Sequence, residues 1–178
     1  MTLLRGYKGR RTLPLRLLFL KIIYPQSYKY GATLGIIYSS ANEPDIVYAY
    51  LFSRFKGEEW RTQREIKKIL DNHYKNAPDG IPGNDDTGTM SAWAVFSMMG
   101  LYPDCPGEPT YTLTTPVFDK VKITTPQGMI EIECNRPTAD SHYSNNISLN
   151  GKSSGYRITH KQLLDNAKIE YKLKKEPK

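Results

Sequence analysis

Oxygen-bearing side chains are concentrated in one short loop of this sequence. The segment Asp79–Asp86 contains the run Asn84, Asp85 and Asp86 among glycines and prolines, and it leads directly into the apolar run Met90–Gly100. The apolar run predicts a buried helix. Acidic groups placed ahead of a buried helix are costly unless a cation or a reacting group uses them. The loop is therefore a candidate for general-base chemistry, or for a hard cation such as calcium, which prefers oxygen ligands.

A second polar cluster, Asn42–Asp45, precedes the first helical stretch of the chain. In an all-helical barrel the loops at one rim converge, so this cluster and the acidic loop can meet although they are far apart in sequence. The alternative is that Asp45 is an acid at the start of one helix and that Asp85 and Asp86 cap the next. Composition alone favours the capping interpretation.

Other catalytic and metal-binding motifs are missing from the sequence. It contains no GxSxG elbow, no phosphate-binding P-loop, no GxGxxG turn and no HExxH pair. The acidic loop lacks the spaced acids and the closing glutamate of an EF-hand. Cys105 and Cys134 lack CxxC spacing, which excludes a cysteine-rich zinc site and leaves open whether they pair or are both free.

The positive net charge does not indicate a nucleic-acid partner. The sequence carries a net charge of +7, but residues 1–30 contain seven basic and no acidic residues. From Gly31 onward 18 basic residues balance 18 acidic ones, so no basic groove is implied. No segment approaches the roughly 20 apolar residues that a transmembrane helix needs. The start of the chain resembles a signal peptide only loosely.

The hydrophobic pattern changes from helical to strand-like along the chain, which predicts helices first and strands second. Helices are expected from Asn42 to near Gly57, over 62–75, and over the apolar run that ends at Gly100. After Pro103 short strands alternate with turns, among them the hairpin signal Asn150-Gly151. A short helix capped by a threonine is expected at 159–164, and a final strand at 168–174.

Two long stretches of the sequence resemble glycoside hydrolase family 92. The helical part "NEPDIVYAYLF…EEWRTQREIKKIL…PDGIPGNDDTGTMSAWAVFSMMGLYP" is similar to the C-terminal part of that family's catalytic domain. The later segments "YTLTTPVFDKVKI" and "ISLNGK…RITHKQLL" resemble the β-rich segment that closes its members. The resemblance runs from Asn42 to Tyr171, whereas residues 1–38 do not resemble the family.

The resemblance implies a fold class and three parts of the chain. Family members have an N-terminal β-sandwich followed by an (α/α)6 barrel, and their chain ends in β structure. We therefore expect an α+β protein in which partial (α/α)6-barrel helices are followed by a β-sandwich-like C-terminal segment. The expected parts are a basic N-terminal segment at 1–38, a partial barrel at 39–103 and a β-rich segment at 104–178.

The resemblance also implies an activity and a set of site residues. The family consists of calcium-dependent exo-α-mannosidases that act on mannose-containing glycans with inversion, here expected to be of the α-1,2 type. Asp86 is expected to be the general base, with Asp85 beside it as its partner. Asn42 and Asp86 are the expected calcium ligands, and Glu43 and Asn84 the expected substrate contacts. Some members carry a carboxylate at the place of Asn84, which leaves the division of roles open.

The resemblance further implies a general acid that this sequence lacks. In the family a glutamate well upstream of the Asn-Glu-Pro segment supplies the proton, and residues 1–38 contain no acid. We therefore expect an incomplete enzyme with little activity by itself. The alternative is a non-catalytic carbohydrate- or calcium-binding remnant, or an inert one. Family members are usually exported, and uncovered barrel faces would favour self-association.

Overall fold

The computed structural model describes residue 41 and residues 43–177. The basic segment 1–38 and the expected calcium ligand Asn42 lie outside these residues.

The helical part of the protein comes first. It consists of two 3-10 helices, Glu43–Asp45 and Tyr48–Arg54, and of two α-helices, α1 at Glu59–His73 and α2 at Thr89–Met99. The predicted helices at 62–75 and 90–100 are confirmed, with bounds shifted by one to three residues. Helix α2 ends at Gly100, whose φ of 84° places it in the left-handed region, the conformation that commonly ends a helix.

The first predicted helix is wrong in type, because both of its helical segments are 3-10 rather than α. An α-helix would bond the Tyr50 N–H to the carbonyl of Ile46. Instead the Tyr50 N–H donates to Val47 O at 3.0 Å. The Ile46 carbonyl accepts the indole N–H of Trp93 at 3.0 Å. The carbonyl that an α-helix would use at this place is thus bonded to a side chain distant in sequence.

The second part of the chain is β-rich, as expected. The strands are β1 Leu101–Tyr102, β2 Thr110–Leu113, β3 Lys120–Thr125, β4 Gly128–Asn135, β5 Tyr143–Leu149, β6 Lys152–Ser154, β7 Arg157–Thr159 and β8 Lys168–Lys174. Hydrogen bonding orders them as β1-β2-β7 in a three-stranded sheet and as β3-β4-β8-β5-β6 in a five-stranded sheet. All neighbouring strands are antiparallel except β4 and β8.

Local turn and cap signals have the structures that the sequence predicts. Asn150 and Gly151 join β5 to β6 with φ values of 51° and 76°, both left-handed, as a two-residue hairpin turn requires. Helix α3, His160–Leu164, begins with a capping box in which Thr159 and Gln162 bond each other's backbone N–H. The final strand spans the predicted residues.

The two sheets share one hydrophobic core, which makes this part sandwich-like. Leu113 and Ile158 of the smaller sheet belong to the same buried cluster as Ile132, Ile169 and Tyr171 of the larger one. The strands of the larger sheet alternate between these apolar residues and outward-facing charged ones, the period-two pattern of a half-buried sheet. The expected α+β fold class is therefore confirmed.

Two buried polar contacts join the helices to the sheets. The Gln63 amide on α1 donates to Ser144 O at 2.7 Å and accepts from Ser144 N at 3.0 Å, so the side chain bonds β5 as a neighbouring strand would. The Asp104 carboxylate accepts from Arg54 at 2.8 Å and from the Thr112 hydroxyl at 2.8 Å. The helical and β-rich parts are thus held together by paired polar groups as well as by apolar packing.

Some apolar side chains on the helices are exposed. Leu51 on the second 3-10 helix is 38% exposed and Val95 on α2 is 54% exposed. Self-association through such faces stays a prediction. Within residues 41 and 43–177, no helix is long and apolar enough to cross a membrane.

Replacing Gln63 with alanine tests the link between α1 and β5. We expect the Gln63→Ala substitution to lower the free energy of unfolding by about 2 kcal/mol, because it leaves the buried Ser144 N–H without an acceptor. Gln127→Ala, at an exposed position of the β3–β4 turn, is the control and should change it by less than about 0.5 kcal/mol. Urea unfolding of the three proteins measures both values, and equal effects would contradict the role of Gln63.

Candidate functional site

The acidic loop is fixed at its start by a tight backbone turn. Lys75 N donates to Gly80 O at 2.9 Å, and Gly80 N donates to Ala77 O at 3.0 Å. A Cβ at position 80 would lie 1.9 Å from Lys75 O, so this position requires glycine. The loop therefore leaves α1 along a defined path before it reaches Asp85 and Asp86.

Asp85 holds the beginning of α2. Its carboxylate accepts the backbone N–H of Ser91 at 2.8 Å. Its carbonyl accepts from Gly88 N and Met90 N at 3.1 Å each. Carboxylates in this position satisfy N–H groups that the helix itself cannot bond and interact favourably with the helix dipole. For Asp85 the capping interpretation is therefore correct, since one of its carboxylate oxygens bonds a backbone N–H of α2.

Asp86 has a different environment although it is the next residue. It begins a run of left-handed backbone in which Asp86, Thr87 and Gly88 have φ values of 48°, 62° and 94°. Non-glycine residues in this region cost of order 1–3 kcal/mol each, and such strain concentrates at functional sites. The side chain is half-buried, and within the described part of the chain no group donates a hydrogen bond to its carboxylate. Its oxygens thus remain available for other chemistry.

The second polar cluster lies beside this loop. A Cβ added to Gly83 would be 2.9 Å from both the Cβ and the carbonyl oxygen of Ala41. The loop backbone therefore touches the residue directly before Asn42. Glu43 is exposed at the start of the first 3-10 helix, and Asn84 is exposed in the loop. The structure thus brings the acidic loop against the residue that precedes the second polar cluster, and the meeting of the polar side chains themselves stays a prediction.

Trp93 is a buried side chain that contacts the residue after α1 and the residue after the first 3-10 helix. It is 1% exposed, its indole N–H bonds Ile46 O, and the Tyr74 ring at the end of α1 stacks on it with centroids 5.5 Å apart. Burial, and next the charge of Asp85, raise the pKa of Tyr74. Trp93 therefore acts in packing.

Tyr102 was missed by sequence analysis. Its ring stacks on Tyr50 with centroids 4.8 Å apart and meets the edge of Trp93 at 6.5 Å. Burial, and next the charge of Glu43, raise the pKa of Tyr102. The sequence signal for this residue is its position directly after α2, in the run Gly100-Leu101-Tyr102. In this run the chain turns back along the aromatic cluster.

The donor atoms of the loop are oxygens. Across the residues that the structure describes, no three His, Cys, Asp or Glu side chains converge on one point. The loop and its neighbour instead offer carboxylate, amide and backbone oxygens, including the unbonded Asp86 carboxylate. Oxygen donors of mixed kind are typical calcium ligands. The unbonded Asp86 carboxylate is thus the donor of the loop that no protein group uses in the described part of the chain.

The chain belongs to glycoside hydrolase family 92. The model of the glycosyl hydrolase family 92 catalytic domain matches residues 2–175, a range that includes 2–38. The expectation that this segment does not resemble the family is therefore wrong. A curated relative, an uncharacterized secreted glycosidase of Arthroderma benhamiae, is 30% identical over 158 residues, 83% of this chain and 20% of that protein.

Solved structures of mannosidases are similar to this protein. One is the family GH92 α-mannosidase BT3965 of Bacteroides thetaiotaomicron in complex with mannoimidazole, with a TM-score of 0.79 and 28% identity over 92% of this chain and 22% of that one. Another is the family GH92 inverting mannosidase BT2199 of the same species, with a TM-score of 0.74 and 26% identity over 92% of this chain and 24% of that one. The chain thus spans about a fifth of the length of these relatives.

The different environments of the two adjacent aspartates predict different effects on stability. Asp85→Ala should lower the free energy of unfolding by about 1 kcal/mol, because it removes a cap from α2. Asp86→Asn should change it by less than about 0.5 kcal/mol, because asparagine tolerates the left-handed backbone and no hydrogen bond is lost. Thermal unfolding followed by circular dichroism compares the two variants. A larger loss for Asp86→Asn would show that its carboxylate has a structural partner.

Proposed function

We propose that this chain carries the general-base side of the active site of an inverting, calcium-dependent exo-α-mannosidase of the α-1,2 type. The observation that carries the proposal is the half-buried, unbonded carboxylate of Asp86 on a left-handed turn, in a chain of family 92. The similarity to mannosidase structures supports mannose in a glycan as the substrate.

In this proposal Asp86 accepts a proton from water as the water attacks the anomeric carbon. An inverting glycosidase needs a carboxylate on the face of the sugar opposite the leaving group, about 6.5–9.5 Å from the acid, so that a water molecule fits between. The turn at 86–88 sets the backbone from which the Asp86 side chain extends, and Asp85 anchors this turn to α2. Positioned proton transfer of this kind contributes roughly 10²–10⁴-fold to the rate.

The proposed calcium ligands are Asn42 and Asp86, one from each polar segment. Contact between Gly83 and Ala41 supports this choice, because it brings the two segments together. Bound calcium would stabilise charge and hold vicinal sugar hydroxyls in place. Glu43 and Asn84, both exposed beside these ligands, are the proposed contacts to the sugar hydroxyls.

A glycine substitution tests the proposed site without requiring turnover. Gly83→Ala forces the loop away from Ala41, and we expect it to weaken calcium binding at least tenfold, since a ligand set is sensitive to displacements of a few tenths of an ångström. Gly155→Ala is the matched control: its Cβ would meet nothing within 4 Å, so calcium binding should be unchanged. Isothermal titration calorimetry with calcium, with and without methyl α-mannoside, measures both.

The same titrations identify the role of Asp86. We expect Asp86→Asn to weaken calcium binding, since the substitution removes a charged ligand. A flat calorimetric trace for the unmodified chain with both calcium and the mannoside would overturn the proposal. Equal calcium affinity in Gly83→Ala and the unmodified chain would overturn the two-segment site.

A further inference from the structure

The outward face of the larger sheet lines an open cavity of about 730 Å³. All five strands of that sheet contribute residues to the lining, and none of these residues belongs to the proposed active site. Sites for small molecules have volumes of roughly 300–1,000 Å³. The cavity is therefore large enough for a ligand of several rings, and its chemistry depends on the polar side chains that the strands direct outward.

One row of this face consists of three polar side chains that the protein does not use. Lys172 of β8 lies between Asn135 of β4 and Asn146 of β5 in the strand register. Neighbouring strands are about 4.8 Å apart, so the three side chains are adjacent. All three are exposed, and among residues 41 and 43–177 their polar side-chain atoms have no hydrogen-bond partner. An ammonium group and two amides are thus available to a ligand.

The neighbouring row of the same face holds acceptors in fixed positions. Glu133 of β4 lies opposite Glu170 of β8 in the register. Glu133 accepts from Lys120 at 2.5 Å and pairs with Lys168 at 3.1 Å. Glu170 pairs with Lys168 at 3.0 Å and accepts from the Ser148 hydroxyl at 3.1 Å. Because an ionised carboxylate has about four lone-pair sites, both groups keep the capacity to accept further hydrogen bonds.

The two rows together suit a ligand with many hydroxyl groups better than an anion. An ammonium group only donates hydrogen bonds, a carboxylate only accepts them, and an amide does both. Sugar hydroxyls donate and accept, so neighbouring hydroxyls of one sugar can bond both rows. An oxyanion only accepts, so it would leave the carboxylate row unused and would lie next to the negative charges of Glu133 and Glu170.

We propose that the outward face of the larger sheet is a second carbohydrate-binding surface, which holds a glycan chain by its hydroxyl groups through Asn135, Asn146 and Lys172. The ring of Tyr171 lies under this face and is only 1% exposed, so hydrogen bonds rather than ring stacking supply the affinity. Binding here needs no calcium, because the side chains bond the sugar directly. The inference is independent of the proposed function, since it uses none of the residues of that site.

The free amides give a direct measure of binding. In NMR spectra of the unmodified chain with EDTA present, α-1,2-mannotriose should shift the side-chain NH2 signals of Asn135 and Asn146. The NH2 signal of Asn84, which is exposed in the acidic loop, is the control and should not move without calcium. If inorganic phosphate shifts the two amide signals and the trisaccharide does not, the face binds anions and the inference is wrong.

Removal of one ammonium group tests the central residue of the row. Lys172→Met keeps an apolar stem and should weaken binding of the trisaccharide roughly three- to tenfold, the range that one hydrogen bond supplies. Lys152→Met is the matched control, because Lys152 is an exposed lysine of β6 that does not line the cavity, and it should leave the affinity unchanged. Thermal unfolding checks that both variants keep the fold. Equal affinities in the two variants would overturn the inference.

The outcomes separate this inference from the proposed function. If EDTA and Asp86→Asn each abolish binding of the trisaccharide, it occupies the proposed active site only, and this inference is wrong while the proposed function stands. If binding persists in EDTA and is weakened by Lys172→Met, while methyl α-mannoside with calcium gives no signal, the sheet surface is supported and the proposed function is wrong.

Discussion

The hydrogen bond from the Trp93 indole to the carbonyl of Ile46 is the contact on which the helical part depends. It joins α2 to the segment that carries Glu43, and the same ring is covered by Tyr74 at the end of α1. A buried indole N–H without an acceptor would cost about 1–3 kcal/mol, so the bond fixes the position of the 3-10 segment. The two polar segments of the site are consequently attached to one buried side chain.

The adjacent residues Asp85 and Asp86 have different roles: Asp85 stabilises the start of α2, whereas the carboxylate of Asp86 is available for chemistry. Asp85 bonds the N-terminus of α2, which gives the turn at 86–88 a rigid base. Asp86 occupies a strained conformation and has no donor among the described residues. Strain of this kind persists only where the surrounding structure holds it. The stable helix behind the loop therefore allows a carboxylate to remain unpaired and available.

The β-rich part is joined to the helical part at the short strand that follows α2. Tyr102 lies on this strand, and Asp104 follows it and binds both Arg54 of the second 3-10 helix and Thr112 of β2. Removing one partner of a buried ion pair is strongly destabilising, because the other charge remains buried. The sheets thus help to hold the aromatic cluster around Trp93 against the helices.

The sequence by itself determined the features that depend on neighbouring residues. Turn chemistry predicted the Asn150-Gly151 hairpin and the Thr159 cap, apolar composition predicted the buried helix α2, and the loop-and-helix motif predicted the family. The tertiary structure alone decided the 3-10 geometry before Trp93, the separate roles of Asp85 and Asp86, and the approach of Gly83 to Ala41. These features depend on partners that are distant in the chain. Hydrophobic periodicity and secondary-structure propensity do not indicate which donor bonds which acceptor over such distances.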